Sequence, residues 1–203
     1  MATWEETRAA FTAAAGWFVD TAASARGHEE RPGLGEWSVR DLLGHTSRSL
    51  TTVEQYRRAD GVRVDVASPV GYFHALAEAM RSPDVAQRGR DAGTALGPDP
   101  AAAVAGLAER VVALVASWGP DAAMATPAGG MLLGAYLPTR TFELTVHTCD
   151  LAAALGQRPV PPPAAAVAAL DLVGRLAAAS GGGGDALLAL TGRRPLPEGF
   201  TVL

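Results

Sequence analysis

One stretch of this 203-residue chain carries polar residues at a spacing that suits metal binding. Between residues 136 and 150 they follow one another at intervals of four, three, four and three, which places them on one face of an α-helix. The members of this polar stripe are Tyr136, Arg140, Glu143, His147 and Asp150. Residues four positions apart on a helix have Cβ atoms about 5–6 Å apart, so Glu143 and His147 could bind one ion together.

A second histidine could complete such a site from another helix. His45 lies one turn after Asp41 and one turn before Arg48. Two histidines and one glutamate would leave one coordination position open for water or substrate, as in catalytic zinc sites. Nitrogen and oxygen ligands favour zinc, and the same set suits nickel or ferrous iron. Asp41 and Asp150 are candidates for the carboxylates that would orient the two imidazole rings.

Simpler interpretations of these residues remain open. Glu143 and His147 could form a solvated pair on the helix surface. His45 could be a core histidine with satisfied hydrogen bonds. Spacing does not show that the two helices face each other, so a metal site and a hydrogen-bond network remain alternatives at this point.

The helices that must position these residues are predicted from apolar periodicity and capping signals. Ser38 is a good N-cap residue, and Asp41 three positions later suits a capping box. Pro138 suits the first turn of the helix with the polar stripe, and Gly156 suits its C-terminal end. The predicted helices cover about 3–25, 38–59, 71–81, 99–117, 138–156, 164–179 and 185–191.

The remaining segments are predicted to be connections. The polar residues over 82–98 are rich in Gly, Pro and Asp, and the run Gly181–Gly184 is typical of a flexible break. Four long helices with shorter ones, and without strands, predict an all-α bundle with at least one long crossover. The chain length fits one domain, so we expect residues 1–203 to form a single bundle domain.

Composition excludes several classes of function. A net charge of −4 and a pI near 5.5 argue against nucleic-acid binding. The two most apolar stretches, 101–118 and 163–180, are interrupted by charged residues, so we expect no membrane span. The N-terminus lacks the basic and apolar regions of a signal peptide. Cys149 is the one cysteine, which fits a reducing cytoplasm, and we expect it to be a small buried residue rather than a nucleophile.

Three segments carry a resemblance to a known family. The run GEWSVRDLLGH over 35–45 looks like the tryptophan-to-histidine signature of the DinB-like bundle superfamily. The run RTFELTVHTCDL over 140–151 resembles the second motif of mycothiol-dependent maleylpyruvate isomerases. The tail LTGRRPLP over 190–197 is similar to the N-terminal domain of that group. The resemblance spans nearly the whole chain, and the first two motifs are fairly specific when they occur together.

The resemblance implies a DinB-like four-helix bundle that binds a divalent metal, usually zinc, through His45, Glu143 and His147. It also implies mycothiol, the low-molecular-weight thiol of actinobacteria, as cosubstrate, because a nearby dication favours the nucleophilic thiolate. In an isomerase the thiolate adds to a cis double bond conjugated with a carbonyl. Bond rotation and expulsion of the thiolate then give the trans product. Arg140 and Arg48 are the candidates for stabilising the enolate between these steps.

The sequence departs from the family in one respect that bears on the substrate. Full-length maleylpyruvate isomerases of this family carry a second, smaller domain after the bundle, whereas little remains here after Gly184. We therefore expect a small electrophile other than maleylpyruvate. The expected function is a cytoplasmic, metal-dependent isomerase or thiol transferase. The alternatives are a non-catalytic metal-binding bundle, acting as a sensor or interaction module, and a helical dimerisation protein. DinB-like bundles often form dimers, so a homodimer is compatible with each of these functions.

Overall fold

The computed structural model describes residues 2–82 and 84–203, and this part of the chain forms eight helices and one small sheet. In chain order the elements are α1 (Trp4–Ala23), α2 (Val39–Gln55), β1 (Arg57–Arg58), α3 (Pro69–Met80), α4 (Asp84–Ala95), α5 (Pro100–Ser117), β2 (Ala123–Thr126), β3 (Gly129–Leu132), α6 (Leu133–Ala154), α7 (Pro163–Ala179) and α8 (Gly183–Leu190).

Four long helices form the bundle. α1 and α2 each pack against both α5 and α6, and α7 covers α1 and α6 from outside. Its core contains the fully buried side chains of Phe11, Phe18, Leu50 and Leu144, each of which contributes about 1.5–3 kcal/mol by leaving water. The chain passes from α2 to α5 through β1, α3 and α4. The predicted four-helix bundle with a long crossover and short extra helices is therefore confirmed.

Capping residues fix the ends of the two helices that carry the candidate ligands. At the start of α2, the Asp41 amide donates to Ser38 Oγ at 3.2 Å, and the Ser38 amide donates to Asp41 Oδ2 at 3.0 Å. This reciprocal pair is the predicted capping box. Beyond the end of α6, Gly156 adopts a φ of +74°, and its amide donates to the Ala153 carbonyl at 2.9 Å. A left-handed glycine at this position ends the helix as predicted.

The prediction of a connection over 82–98 is wrong, because α4 occupies most of this segment and packs against α2. The two helices approach backbone to backbone at Gly44 and Gly93. A Cβ atom on Gly44 would lie 2.0 Å from the Gly93 nitrogen. Glycine lowers the intrinsic stability of a helix, but here it permits a close contact, and tertiary packing supplies most of a short helix's stability.

The prediction of a fold without strands is also wrong. β2 pairs with both β1 and β3 in antiparallel fashion. β3 leads directly into α6, which begins at Leu133, so Pro138 lies inside the helix instead of opening it. The glycine run before α8 is only partly a break, because Gly183 and Gly184 already belong to the helix.

α5 is the one helix in the described part of the chain that is long and apolar enough to cross a membrane. Its apolar side packs into the bundle, where Val104, Val111 and Val115 are buried. On its other side Arg110 is exposed and pairs with Glu54 of α2 at 3.2 Å. A buried apolar stripe opposite exposed charges is the pattern of a helix in a globular bundle.

Candidate metal centre

The structure brings the three predicted ligands together between α2 and α6. The rings of His45 and His147 lie edge to face with their centroids 4.6 Å apart. Oε2 of Glu143 lies 3.2 Å from Nε2 of His147. One potential ligand atom from each of the three residues lies within 4.8 Å of the others. The packing of α2 against α6 thus supplies the proximity that residue spacing could not show.

On the α6 side, two carboxylates hold the ring of His147. Its Nδ1 lies 3.1 Å from Asp150 Oδ2, while its Nε2 faces Glu143. Burial lowers the pKa of His147, but hydrogen bonds to Asp150 and Glu143 outweigh burial and raise it to about 9. For Glu143, burial raises the pKa, but the hydrogen bond to His147 outweighs burial and brings the pKa below its ordinary value. At neutral pH the two carboxylates therefore favour the protonated, positively charged form of His147.

On the α2 side, His45 has the opposite environment. Burial first, and then the charge of His147, lower the pKa of His45 to about 4. Its ring is neutral at pH 7, as a metal ligand must be. Nδ1 is buried and has no hydrogen-bond partner among the described residues. An unpaired buried nitrogen is costly, and it is explained if the ring serves a ligand outside the protein chain.

The residues at the centre offer ligand atoms that suit a divalent metal. The donor set has two imidazoles and one carboxylate, and one of the imidazoles is neutral with an unpaired nitrogen. Borderline nitrogen and oxygen donors of this kind suit zinc, nickel and ferrous iron. The residues therefore fit a divalent cation.

Sequence reasoning missed how His45 is held. The ring of Trp37 lies against it with a centroid distance of 4.5 Å, and Trp37 Nε1 donates to the Ala86 carbonyl of α4 at 3.0 Å. A Cβ atom on Gly89 would lie 2.8 Å from the Trp37 ring. The missed helix α4 thus supports one candidate ligand through Trp37, and the spacing of Gly89 and Gly93 was the available signal.

Asp41 forms the capping box of α2, and a role for it in orienting His45 stays a prediction. Its carboxylate accepts hydrogen bonds from the amide and the hydroxyl of Ser38, at 3.0 and 2.8 Å. His45 Nδ1 has no hydrogen-bond partner in the described chain. The capping box uses the carboxylate at the N-terminus of α2 instead. Asp150 does contact the ring of its predicted partner, His147.

Arg140 is buried beside the centre. Its guanidinium lies 5.0 Å from the ring centroid of Tyr136 and 5.1 Å from that of Tyr72. Nε of Arg140 donates to Thr139 Oγ1 at 3.0 Å. Two aromatic faces and one hydrogen bond therefore fix the plane of the guanidinium.

Arg48 faces a groove that is separate from the candidate metal centre. It lines a groove of about 500 Å³ between α2, α4 and α5, and none of the three candidate ligands contributes to the wall of this groove. After burial and the charge of His147, the charge of Arg48 is a smaller contribution to the low pKa of His45. An action of Arg48 at the centre stays a prediction.

Cys149 is half-buried next to the site residues in sequence. Burial raises the pKa of its thiol, and the charge of Asp150 raises it further. The thiol is therefore protonated at neutral pH, and a protonated thiol is a poor nucleophile.

Fold and site together define a helical bundle with a candidate metal centre between two of its helices. The family model of the mycothiol maleylpyruvate isomerase N-terminal domain matches residues 7–152, and the chain belongs to this family. Membership of the chain in the DinB-like superfamily is consistent with this family assignment. The curated proteins and the solved structures give no match to this chain. The matched residues include all three candidate ligands and end within α6, so a single domain over 1–203 stays a prediction.

Proposed function

We propose that this protein is a metal- and mycothiol-dependent enzyme, an isomerase or thiol transferase that acts on a small electrophile. The observation that carries the proposal is the convergence of His45, Glu143 and His147 within 4.8 Å in a member of this family. The second bundle helix contributes one ligand and α6 contributes two. A site made by two packed helices in this way is a common device of helical bundles.

The three ligands would hold a divalent ion, with zinc as the first candidate and nickel or iron as alternatives. When bound, the ion would favour the thiolate form of mycothiol over the thiol. Asp150 would keep the His147 ring in the orientation that directs Nε2 into the centre. His45 would act as a neutral donor, because its pKa of about 4 keeps it unprotonated.

The proposed reaction follows from thiolate chemistry. The sulfur electron pair forms a bond to the β-carbon of an electrophile, and the π electrons move to the carbonyl oxygen. In an isomerase, the former carbon–carbon double bond is now single and rotates. The electrons then return from the oxygen to re-form the double bond, and the carbon–sulfur bond breaks to release the thiolate. In a transferase, the α-carbon takes a proton and the thioether stays. Arg140 and Arg48 are the candidates for stabilising the charge on the oxygen.

A cytoplasmic location belongs to the same proposal. A reducing compartment keeps a thiol cosubstrate reduced. The partners in this proposal are a small-molecule thiol and an electrophilic substrate.

Elemental analysis of purified protein tests the metal part of the proposal. We expect about one divalent ion per chain in the wild type, and none after His45→Ala or His147→Ala. His28→Ala is the matched control, because His28 is exposed in a loop, and it should keep the ion. Absence of metal from all these proteins, even when it is supplied, would show that the site is wrong.

Titration of mycothiol into the metal-loaded wild type tests the thiol part. Saturable binding that is lost in His147→Ala would support the enzyme. Stoichiometric metal without thiol binding would overturn it in favour of a non-catalytic metal-binding bundle, a sensor or an interaction module.

A further inference from the structure

The groove that Arg48 lines has the size of a small-molecule site. α2 forms its floor, since both α4 and α5 pack against α2. Its volume of about 500 Å³ falls within the usual range of ligand pockets. Leu96 and Leu107 supply apolar wall, and no aromatic side chain of the described chain lines the groove. The groove therefore suits a small aliphatic molecule and offers no ring against which a flat aromatic ligand would stack.

The groove concentrates positive charge in a chain whose net charge is −4. Three arginines line it, Arg48 from α2, Arg88 from α4 and Arg110 from α5, and among the described residues they face one carboxylate, that of Asp91. Arg110 is already paired with Glu54 at 3.2 Å. The ion pairs of the described chain leave out both Arg48 and Arg88. Two guanidinium groups on two helices are therefore available to an anion.

Two free arginines match a phosphate group better than a carboxylate. A phosphate monoester carries between about −1.5 and −2 charges at pH 7 and has three acceptor oxygens. A guanidinium binds phosphate through two parallel N–H bonds, so one phosphate can engage both arginines. A carboxylate has one charge and two oxygens, which would leave one arginine unbalanced. Arg48 is half-buried, so an unpaired charge there is the more costly of the two.

The remaining polar groups of the groove suit hydroxyl groups on the body of the ligand. Asp91 Oδ1 accepts a hydrogen bond from Gln87 at 2.7 Å, and its other oxygen has no donor among the described residues. Thr51 Oγ1 donates to the Ser47 carbonyl at 3.2 Å, which leaves its lone pairs free to accept. The side-chain amide of Gln55 lines the groove without a hydrogen-bond partner in the described chain. A ligand with several hydroxyl groups would satisfy all three side chains.

We propose that the groove between α2, α4 and α5 binds a phosphorylated polyol such as a sugar phosphate. Arg48 and Arg88 hold the phosphate, while Asp91 and Gln55 bind hydroxyl groups. The proposal is independent of the proposed function, because none of the three candidate metal ligands lines the groove. It gives Arg48 a ligand in the groove that it lines, whereas an action of Arg48 at the metal centre is a separate prediction.

Calorimetry on the full chain tests the proposal with glycerol 3-phosphate, ribose 5-phosphate and glucose 6-phosphate, and with inorganic phosphate and glucose as partial ligands. At least one of the three phosphorylated polyols should bind more tightly than either partial ligand. Arg48→Gln should weaken this binding on the order of 10- to 100-fold, the usual worth of hydrogen bonds to a charged group. Arg88→Gln should weaken it by about 5-fold, because Arg88 is exposed. Arg90→Gln is the matched control on the same helix, since Arg90 pairs with Glu36 and does not line the groove.

A phosphate could also bind a metal ion at the candidate centre, so the titrations are repeated with His147→Ala, which should keep the wild-type affinity. Loss of binding in folded His147→Ala would place the ligand at the centre and overturn the proposal. Equal affinity in Arg48→Gln, Arg88→Gln and the wild type would overturn it as well. A wild type that binds none of the three more tightly than inorganic phosphate would show that no polyol is recognised, with the same consequence. If Arg48→Gln does not fold, the exposed Arg88→Gln decides.

Discussion

The two histidines of the candidate centre lie 4.6 Å apart, yet the protein holds them in opposite ways. His147 is oriented by Asp150 and Glu143, which lie within one turn on the same helix. His45 has no such partner in the described chain and is held against Trp37. The pKa of His147 is raised to about 9, and that of His45 is lowered to about 4.

This difference shows that charge organises one side of the centre and packing organises the other. The α6 side should respond to changes of charge that leave the backbone in place. The α2 side should respond to changes of volume at the crossing with α4, where Gly44 meets Gly93.

Gly44→Ala should have the largest effect. Its Cβ atom would lie 2.0 Å from the backbone nitrogen of Gly93, and backbone cannot move aside as a flexible side chain can. We expect a loss of about 3 kcal/mol in the free energy of unfolding, together with weaker metal binding, because α2 carries His45. Urea denaturation and metal titration measure the two effects.

The matched control for this substitution is Gly16→Ala on α1, where no atom lies within 4 Å of the added Cβ. An exposed helical glycine that becomes alanine should stabilise the protein by about 0.5–1 kcal/mol. Equal effects of the two substitutions would show that the close crossing of α2 and α4 does not exist.

Removal of the metal should have the next largest effect, because the ion would tie the two sides together. Binding at a hundredfold excess over the dissociation constant stabilises a protein by about 2.7 kcal/mol. For a chain of this size, chelation should therefore lower the melting temperature by roughly 5–10 °C. Thermal unfolding with and without chelator measures the shift, and His147→Ala should show none. A chelator effect of equal size in that variant would place the metal elsewhere.

The difference between the two sides also explains which contacts of the centre could be predicted from the sequence. Glu143, His147 and Asp150 belong to one helix, so their spacing alone predicted which side chains meet. The start of α2 was equally local, since Ser38 and Asp41 lie three residues apart.

The features that sequence reasoning missed depend on contacts between distant segments. The segment 82–98 is predicted to be a connection because it is polar and rich in Gly, Pro and Asp, yet two of its glycines, Gly89 and Gly93, fit against Trp37 and α2. Tyr72 comes to Arg140 from α3, and no spacing along the chain indicates that pairing. The short strands β2 and β3 gain their hydrogen bonds only when they pair with each other.

Asp150→Asn should have a smaller, purely local effect on the α6 side. The amide keeps the shape of the carboxylate but removes the charge that orients and polarises the His147 ring. Loss of such a supporting carboxylate typically weakens metal binding 10- to 100-fold. Competition with a chelator of known affinity measures this change. Asp171→Asn, at an exposed carboxylate on α7, is the control and should bind metal as the wild type does.

Asp41→Ala should have the smallest effect, and it tests the α2 side directly. It removes one arm of the capping box, which should cost about 0.5–1 kcal/mol of stability, and Ser38→Ala should cost about 1 kcal/mol. Neither substitution should change metal affinity, because neither side chain contacts His45. If Asp41→Ala weakened metal binding as strongly as Asp150→Asn, a carboxylate would orient both rings, and the division between a charged side and a packed side would be wrong. Unchanged affinity together with lower stability would show that Trp37 and α4, rather than a carboxylate, hold His45 in position.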